Sequence, residues 1–183
     1  MTVAPSKAPT VTRNWLYETS AGTTDFKVTF PNTPNIELIL IGADLIVYSN
    51  AINERNPERA EAKVPIITRA AALALLMSES QSIAVAGTHG KTTTSSMLTV
   101  ALQACGADPS FAIGGLLKSS GSNAHRGTGK YFVAEADESD GSFVAYHPHA
   151  AIITNVEWDH VDHFATEADV FKVFDDFINT ITG

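Results

Sequence analysis

The stretch Ile83-Ala84-Val85-Ala86-Gly87-Thr88-His89-Gly90-Lys91-Thr92-Thr93-Thr94 decides the fold. Four apolar residues run into a glycine turn. Beyond the turn, Leu98, Ala101, Leu102 and Cys105 recur at the i, i+3, i+4, i+7 spacing of a helix, and Gly106 suits its end. Strand, glycine turn and helix in this order grip phosphate. Glycines let backbone N–H groups converge on oxygens without Cβ clashes, and the helix N-terminus adds positive potential. In such a turn Lys91 reaches β- and γ-phosphates, and the Thr92 hydroxyl ligates Mg²⁺. The generic pattern G-x-x-x-x-G-K-[ST] is incomplete: Val85 stands at its first glycine, and Gly87 comes two residues later. The bland alternative is a chance Gly-Lys-Thr in a turn. The strand before it, the amphipathic helix after it and the second glycine argue against that.

Further along, Tyr131-Phe132-Val133-Ala134 is an apolar run that delivers Glu135, Asp137, Glu138 and Asp140. Carboxylates at the C-terminal end of a parallel strand are where α/β proteins hold a nucleotide's metal. Four of them in six residues repel one another without a cation, although a solvated acidic loop is the alternative. Ile152-Ile153-Thr154-Asn155 then leads into Val156-Glu157-Trp158-Asp159-His160-Val161-Asp162-His163. Asp and His at this density suggest a metal site, open on these residues alone to a hydrolase or a nucleotide enzyme. His160-x-x-His163 is too short for the zinc-protease spacing.

The flanks define the rest of the chain. Residues 1–35 hold Pro5, Pro9, Pro31 and Pro34 without a sustained period and are expected to be irregular. Ile36–Ile41, Leu45–Tyr48 and Ile66-Ile67 are strand-prone. Helices are expected from Pro57 to Ala62 and over Ala70–Met77, with Ser78–Gln81 as a linker. Further strands are predicted at Phe111–Ile113, Tyr131–Ala134 and Ala150–Thr154. A final helix carries an apolar stripe of Val170, Val173, Phe174, Phe177, Ile178 and Ile181, with Thr166 at its start.

Composition agrees with an ordinary globular protein: 183 residues, 44% hydrophobic and 17% charged. A net charge of −8 argues against a nucleic-acid partner held through phosphates. The single cysteine, Cys105, excludes an internal disulfide and is expected to be a small core residue on the apolar helix face. No run of about 18 apolar residues suggests a membrane span. No signal peptide is evident in the first residues, and the expected location is cytoplasmic.

Ala86-Gly87-Thr88-His89-Gly90-Lys91-Thr92-Thr93-Thr94 resembles the ATP loop of the Mur ligase family, which uses this shortened glycine spacing. Glu135-Ala136-Asp137-Glu138-Ser139-Asp140-Gly141-Ser142-Phe143 resembles the acidic motif of the family's L-alanine-adding branch. The neighbouring branch, which recycles murein tripeptide, has Tyr at the place of Ser139. Asn155 to Asp162 resembles the family's Asn…Asp-His-x-Asp block, and Tyr48–Ile52 with Asn56-Pro57-Glu58 resembles the end of its UDP-sugar domain. Ile113-Gly114-Gly115 and Gly121–Ala124 resemble its substrate-side loops.

The resemblance implies an α/β protein: the remnant of a Rossmann-like UDP-sugar domain over 36–78, then the first part of a P-loop-type parallel-sheet ATP domain over 82–183. It implies an ATP-dependent amide ligase that joins L-alanine to UDP-N-acetylmuramate through an acyl phosphate. It assigns ATP contacts to Gly87, Thr88, His89, Gly90, Lys91, Thr92 and Thr93. A first Mg²⁺ falls to Thr92 and a second to Glu135 and His160, and catalysis to Lys91, Glu135 and His160. Substrate contacts fall to Ser49, Asn123, His125, Asp137 and Ser139. A lone loop histidine such as His125 is otherwise simply solvated, and His147 and His149 flank Pro148 in a turn. No glycine-rich UDP motif is found in residues 1–35, and the rest of the ATP domain and a C-terminal domain are not found. A partial protein is therefore expected. The alternatives are the recycling ligase and a non-catalytic ATP-binding fragment.

Overall fold

The computed structural model describes residues 12–19, 22–29, 44–50, 52–60, 62–159 and 163–183. The chain divides into two compact units, Met1–Ala72 and Leu73–Gly183. The division falls inside a helix rather than at the predicted linker, Ser78–Gln81.

In the first unit, β1 (Thr12–Thr19) pairs antiparallel with β2 (Gly22–Thr29), from Thr12 opposite Thr29 to Thr19 opposite Gly22. This corrects the expectation of irregular structure over 1–35 for those residues. Both strands are rich in threonine, aromatic and β-branched residues, and none of the prolines of 1–35 falls within them. Next, β3 (Ile46–Tyr48) pairs parallel with β4 (Ile66–Thr68) across a short helix, α1 (Pro57–Ala60). The predicted strand Ile36–Ile41 lies outside the described residues. Helix α2 (Arg69–Met77) follows, with the Thr68 hydroxyl accepting from the Ala71 amide at its start.

The second unit holds a five-stranded sheet of order β7-β6-β8-β5-β9. Its strands are β5 (Gln81–Ala86), β6 (Ser110–Leu117), β7 (Ser122–His125), β8 (Tyr131–Glu135) and β9 (Ala150–Ile153). All neighbours run parallel except the edge strand β7, which is antiparallel to β6. The two predicted loops at 113–115 and 121–124 are thus corrected. The first lies within β6, and the second is Gly121 in a turn followed by β7. Neither shows the apolar alternation that marks a strand.

Helix α3 (Lys91–Ala104) crosses from β5 to β6. Leu98 and Leu102 pack on a core of Phe111, Ile113, Leu117 and Val133. The deepest positions of the helix are polar: Ser95 and Thr99 are fully buried. Their hydroxyls donate to the carbonyls of Lys91 and Ser95, 2.8 Å in both cases, so no polar group is left unsatisfied. Cys105, expected in the core, is exposed, and Ala101 with it. The inward face is Ser95, Leu98, Thr99, Leu102, with Ser95 and Thr99 in the places expected for Ala101 and Cys105.

A 3₁₀ turn (Ser142–Tyr146) seats Phe143 against the last helix, α4 (Glu167–Ile178). The Phe143 ring stacks on Phe177 at 4.6 Å and meets Phe174 edge-on at 5.3 Å. Val170, Phe174 and Phe177 are the buried members of the predicted stripe. Ile178 is exposed, and Ile181 lies past the helix end. Thr166 and Asp169 form a reciprocal capping box at the start of α4. Thr166→Ala is expected to lower the unfolding free energy of this unit by about 1 kcal/mol in urea titration. An unchanged midpoint would contradict the cap's role.

Candidate functional site

Strand β5 lies between β8 and β9, so its C-terminal end opens at the point where the chain turns to opposite sides of the sheet. In such sheets this is where the crevice forms. The loop leaving β5 is held from the β9 side. The Thr154 amide donates to the Ala86 carbonyl at 3.0 Å, and the Thr88 amide to the Asn155 carbonyl at 3.1 Å. The His89 amide donates to Asn155 Oδ1 at 2.9 Å, while Thr154 Oγ1 donates to the His89 carbonyl at 2.6 Å. Thr88 Oγ1 accepts from the Glu157 amide at 2.9 Å. Two residues, Thr154 and Asn155, thereby fix both ends of the glycine turn.

This close approach explains Gly87. Its φ is +128°, a region L side chains rarely adopt, and a Cβ there would fall onto Thr154 Oγ1 and lie 2.8 Å from the Asn155 carbonyl oxygen. Gly90, with φ +83°, makes the left-handed step into α3. The amides of Lys91, Thr92 and Thr93 follow, in the first turn of the helix where no intrahelical acceptor exists.

Two side chains of that turn meet carboxylates at and just beyond the end of β8. Lys91 Nζ donates to Glu138 Oε2 at 2.8 Å and Oε1 at 3.0 Å, and to the Gly87 carbonyl at 2.8 Å. Glu138 is 1% exposed. Thr92 Oγ1 donates to Glu135 Oε1 at 2.9 Å, and Glu135 Oε2 accepts from the Gly114 amide at 2.6 Å. Gly114 and Gly115 on β6 allow this packing. A Cβ on Gly114 would sit 2.8 Å from Glu135 Oε1, and one on Gly115 would sit 2.9 Å from Thr92 Cγ2.

Each carboxylate of 135–140 has its own donor. Asp137 accepts from the Ser139 amide at 3.1 Å, and Asp140 from the Ser142 amide at 2.9 Å. The repulsion expected to demand a cation is therefore relieved within the chain. Among the described residues no group of three His, Cys, Asp or Glu side chains could hold a metal. His160 lies outside the described residues. What converges is an oxygen pair, the Thr92 hydroxyl and the Glu135 carboxylate, and hard oxygen donors of this kind suit Mg²⁺.

Most of the remaining candidates have partners of their own. His125 Nε2 pairs with Asp108 Oδ1 at 3.1 Å on the edge hairpin, rather than being simply solvated. Hydrogen bonds from the Thr128 amide, from His125 and from the Thr128 hydroxyl hold the Asp108 carboxyl below the usual aspartate range. Asn123 is exposed on β7, and Ser49, in the first unit, accepts from the Ile52 amide at 2.8 Å. Ser139 is half-buried beside Asp137. His147 does shape a turn, with φ +44°. Glu138, named among the four carboxylates, and Gly114 and Gly115, named in a substrate-side loop, carry the geometry of the site in other roles, as does Thr154, which had been read only as the end of a strand.

A buried parallel strand, a glycine turn and a helix whose first residues are Lys-Thr define an α/β domain of the phosphate-loop class. A family model described as the Mur ligase middle domain matches residues 85–182, just over half of the chain. The chain belongs to the Mur ligase family. It is 54% identical over 141 residues to the UDP-N-acetylmuramate–L-alanine ligase of Nocardioides sp., covering 75% of this chain and 32% of that protein. It is 51% identical over 151 residues to the enzyme of the same name from Mycobacterium tuberculosis, covering 80% and 31%. It therefore spans about a third of the length of the curated relatives it matches. Among solved structures, UDP-N-acetylmuramate-alanine ligase MurC from Thermotoga maritima aligns with a TM-score of 0.68 at 30% identity, over 75% of this chain and 34% of that one. UDP-N-acetylmuramate:L-alanyl-gamma-D-glutamyl-meso-diaminopimelate ligase from Neisseria meningitides aligns equally well, at 0.68 and 33% identity, over 76% and 49%. Among the described residues no helix is long and apolar enough to cross a membrane.

Gly87→Ala is expected to destabilise the second unit by about 2 kcal/mol or more. Gly106, at φ +79° with open space around its Cβ position, provides the control. Its alanine variant reports the backbone cost alone. Equal losses for the two variants in urea unfolding would show that the Thr154–Asn155 contact does not constrain Gly87.

Proposed function

We propose that this chain is part of an ATP-dependent ligase that joins L-alanine to UDP-N-acetylmuramate, in the cytoplasmic stage of peptidoglycan biosynthesis. One observation carries the reading. Lys91 and Thr92, at the N-terminus of α3, meet two different carboxylates at the end of the central strand, Glu138 and Glu135. A cation and a metal-ligating hydroxyl are thus set side by side where a nucleotide's phosphates would lie. The names of relatives at 51–54% identity supply the substrate pair.

In this reading the amides of Gly90, Lys91, Thr92 and Thr93 face the phosphates. Those of Thr88 and His89 are already donated to Asn155, so these two residues shape the loop rather than contact ATP through their amides. Lys91 would stabilise charge on the γ-phosphoryl group as the lactyl carboxylate attacks phosphorus and ADP leaves. The acyl phosphate then accepts the amine of L-alanine, and inorganic phosphate departs as the amide forms and the amine loses its proton. Thr92 would hold one Mg²⁺ and Glu135 with His160 a second, and such ions when bound neutralise charge on the phosphate oxygens.

The recycling ligase is the second reading, favoured by the 33% identical structural relative. Ser139 and the higher identity to the alanine-adding enzymes weigh against it.

ATP·Mg²⁺ is expected to bind this chain in titration calorimetry, and Lys91→Ala to weaken binding about tenfold or more. Equal affinities for the two proteins would sink the phosphate-loop assignment.

A further inference from the structure

Gly114 and Gly115 stand in the middle of β6, where glycine weakens a strand and often marks a bulge or a close approach. Neither has a positive φ, so the backbone alone does not call for glycine there. What excludes a side chain is the first turn of α3. A Cβ at 114 would meet both Glu135 oxygens and Thr92 Oγ1, all within 3.0 Å, and a Cβ at 115 would meet the Thr92 methyl at 2.9 Å. Consecutive strand residues face opposite sides, yet both of these reach one threonine. The pairing of β6 with β7 shifts register between Ala112 and Leu117, which lets the strand turn at this pair.

The two contacts fix both substituents of the Thr92 Cβ. Its methyl lies against Gly115. Its hydroxyl donates to Glu135 Oε1 at 2.9 Å, and the Gly114 amide holds the other Glu135 oxygen at 2.6 Å, a short bond of the charge-assisted kind. The hydroxyl hydrogen is thereby committed to the carboxylate, and the lone pairs of Oγ1 stay open to a cation. Deeper in α3 the hydroxyls take another course: Ser95 and Thr99 donate to carbonyls of their own helix, those of Lys91 and Ser95. A Thr92 hydroxyl turned back in that way would lose the carboxylate that orients it. Strand β6 also pairs with β8, which delivers Glu135, and packs under α3, which delivers Thr92. One strand thus sets the spacing of the two side chains.

We propose that the Gly114-Gly115 pair positions the cation ligand of this loop. The Gly114 amide acts through Glu135, and the open space at Gly115 acts through the threonine methyl; together they hold the Thr92 hydroxyl in the orientation that ligates Mg²⁺. This rests on the ATP·Mg²⁺ reading above. Both glycines work through Thr92 and Glu135, so they are positioning residues and not ligands.

The test is ATP affinity by calorimetry in EDTA and in excess Mg²⁺, for the unmutated chain and its variants. Gly114→Ala is expected to fold, because the atoms its Cβ meets are the ends of side chains that can give way. Its ratio of Kd in EDTA to Kd in Mg²⁺ should fall about tenfold, through weaker binding in Mg²⁺ alone. Gly115→Ala should lower the ratio in the same direction. Adding Thr92→Ser to it removes the methyl that the new Cβ meets, and should recover part of the loss. If Gly114→Ala leaves the ratio unchanged, or weakens both affinities by the same factor, the pair is merely structural and the proposal fails. An unmutated chain that binds ATP equally well in EDTA and in Mg²⁺ also overturns it, while the loop assignment stands. Proton NMR gives a readout independent of how the glycine variants fold. The Gly114 amide proton should lie downfield as a donor to carboxylate, and move upfield in Glu135→Ala. A signal indifferent to that change overturns the clamp but not the ATP reading. Failure of the unmutated chain to bind ATP under either condition removes both.

Discussion

The hydrogen-bonded bracket that Thr154 and Asn155 place on residues 86–89 is the constraint on which the rest of the site depends. It joins the loop after β5 to the loop after β9, two segments more than sixty residues apart in sequence. It also leaves no room for a side chain at Gly87. A glycine turn held on one side by a neighbouring strand's continuation can be short and still keep its shape. That is a physical reason for two residues' less spacing than the generic phosphate loop: the support comes from Thr154 and Asn155 rather than from a longer run of loop backbone.

Charge is arranged around this rigid turn in two layers. Glu135 is tied to Thr92 and to the Gly114 amide, which sets a hard oxygen pair beside the helix N-terminus. Glu138 lies deeper and takes the lysine. Both carboxylates come from one segment, delivered by β8 and anchored at its far end by the stacking of Phe143 on α4. The aromatic cluster thus contributes more than burial. It fixes the direction from which negative charge approaches the loop.

Much of this was legible in the sequence. The strand–turn–helix over 83–105 stood out because a continuous apolar run, two glycines and a 3.6-residue period follow one another directly. The helix start at Thr166 was visible for the same reason, since local chemistry decides it. What escaped was decided by tertiary contact. The helix face was misplaced toward Cys105 because Ser95 and Thr99 read as polar, yet their hydroxyls are satisfied by the helix's own carbonyls and they pack inward. Strand β7 escaped because Ser122-Asn123-Ala124-His125 has no apolar face to bury on an edge. The acidic run 135–140 suggested a cation through mutual repulsion, whereas backbone amides, Thr92 and Lys91 share it out among separate partners. No spacing rule pairs residue 91 with residue 138; only the sheet order does.

Family membership and the ligase reading meet at one place, the first turn of α3. A crystal structure of the chain with Mg²⁺ and a non-hydrolysable ATP analogue is the most direct test of that convergence. The account predicts the β- and γ-phosphates against the amides of Gly90–Thr93, the metal on Thr92, and the Thr154–Asn155 bracket unchanged. An analogue bound elsewhere, or a loop that abandons the bracket to receive it, would contradict the account at its base.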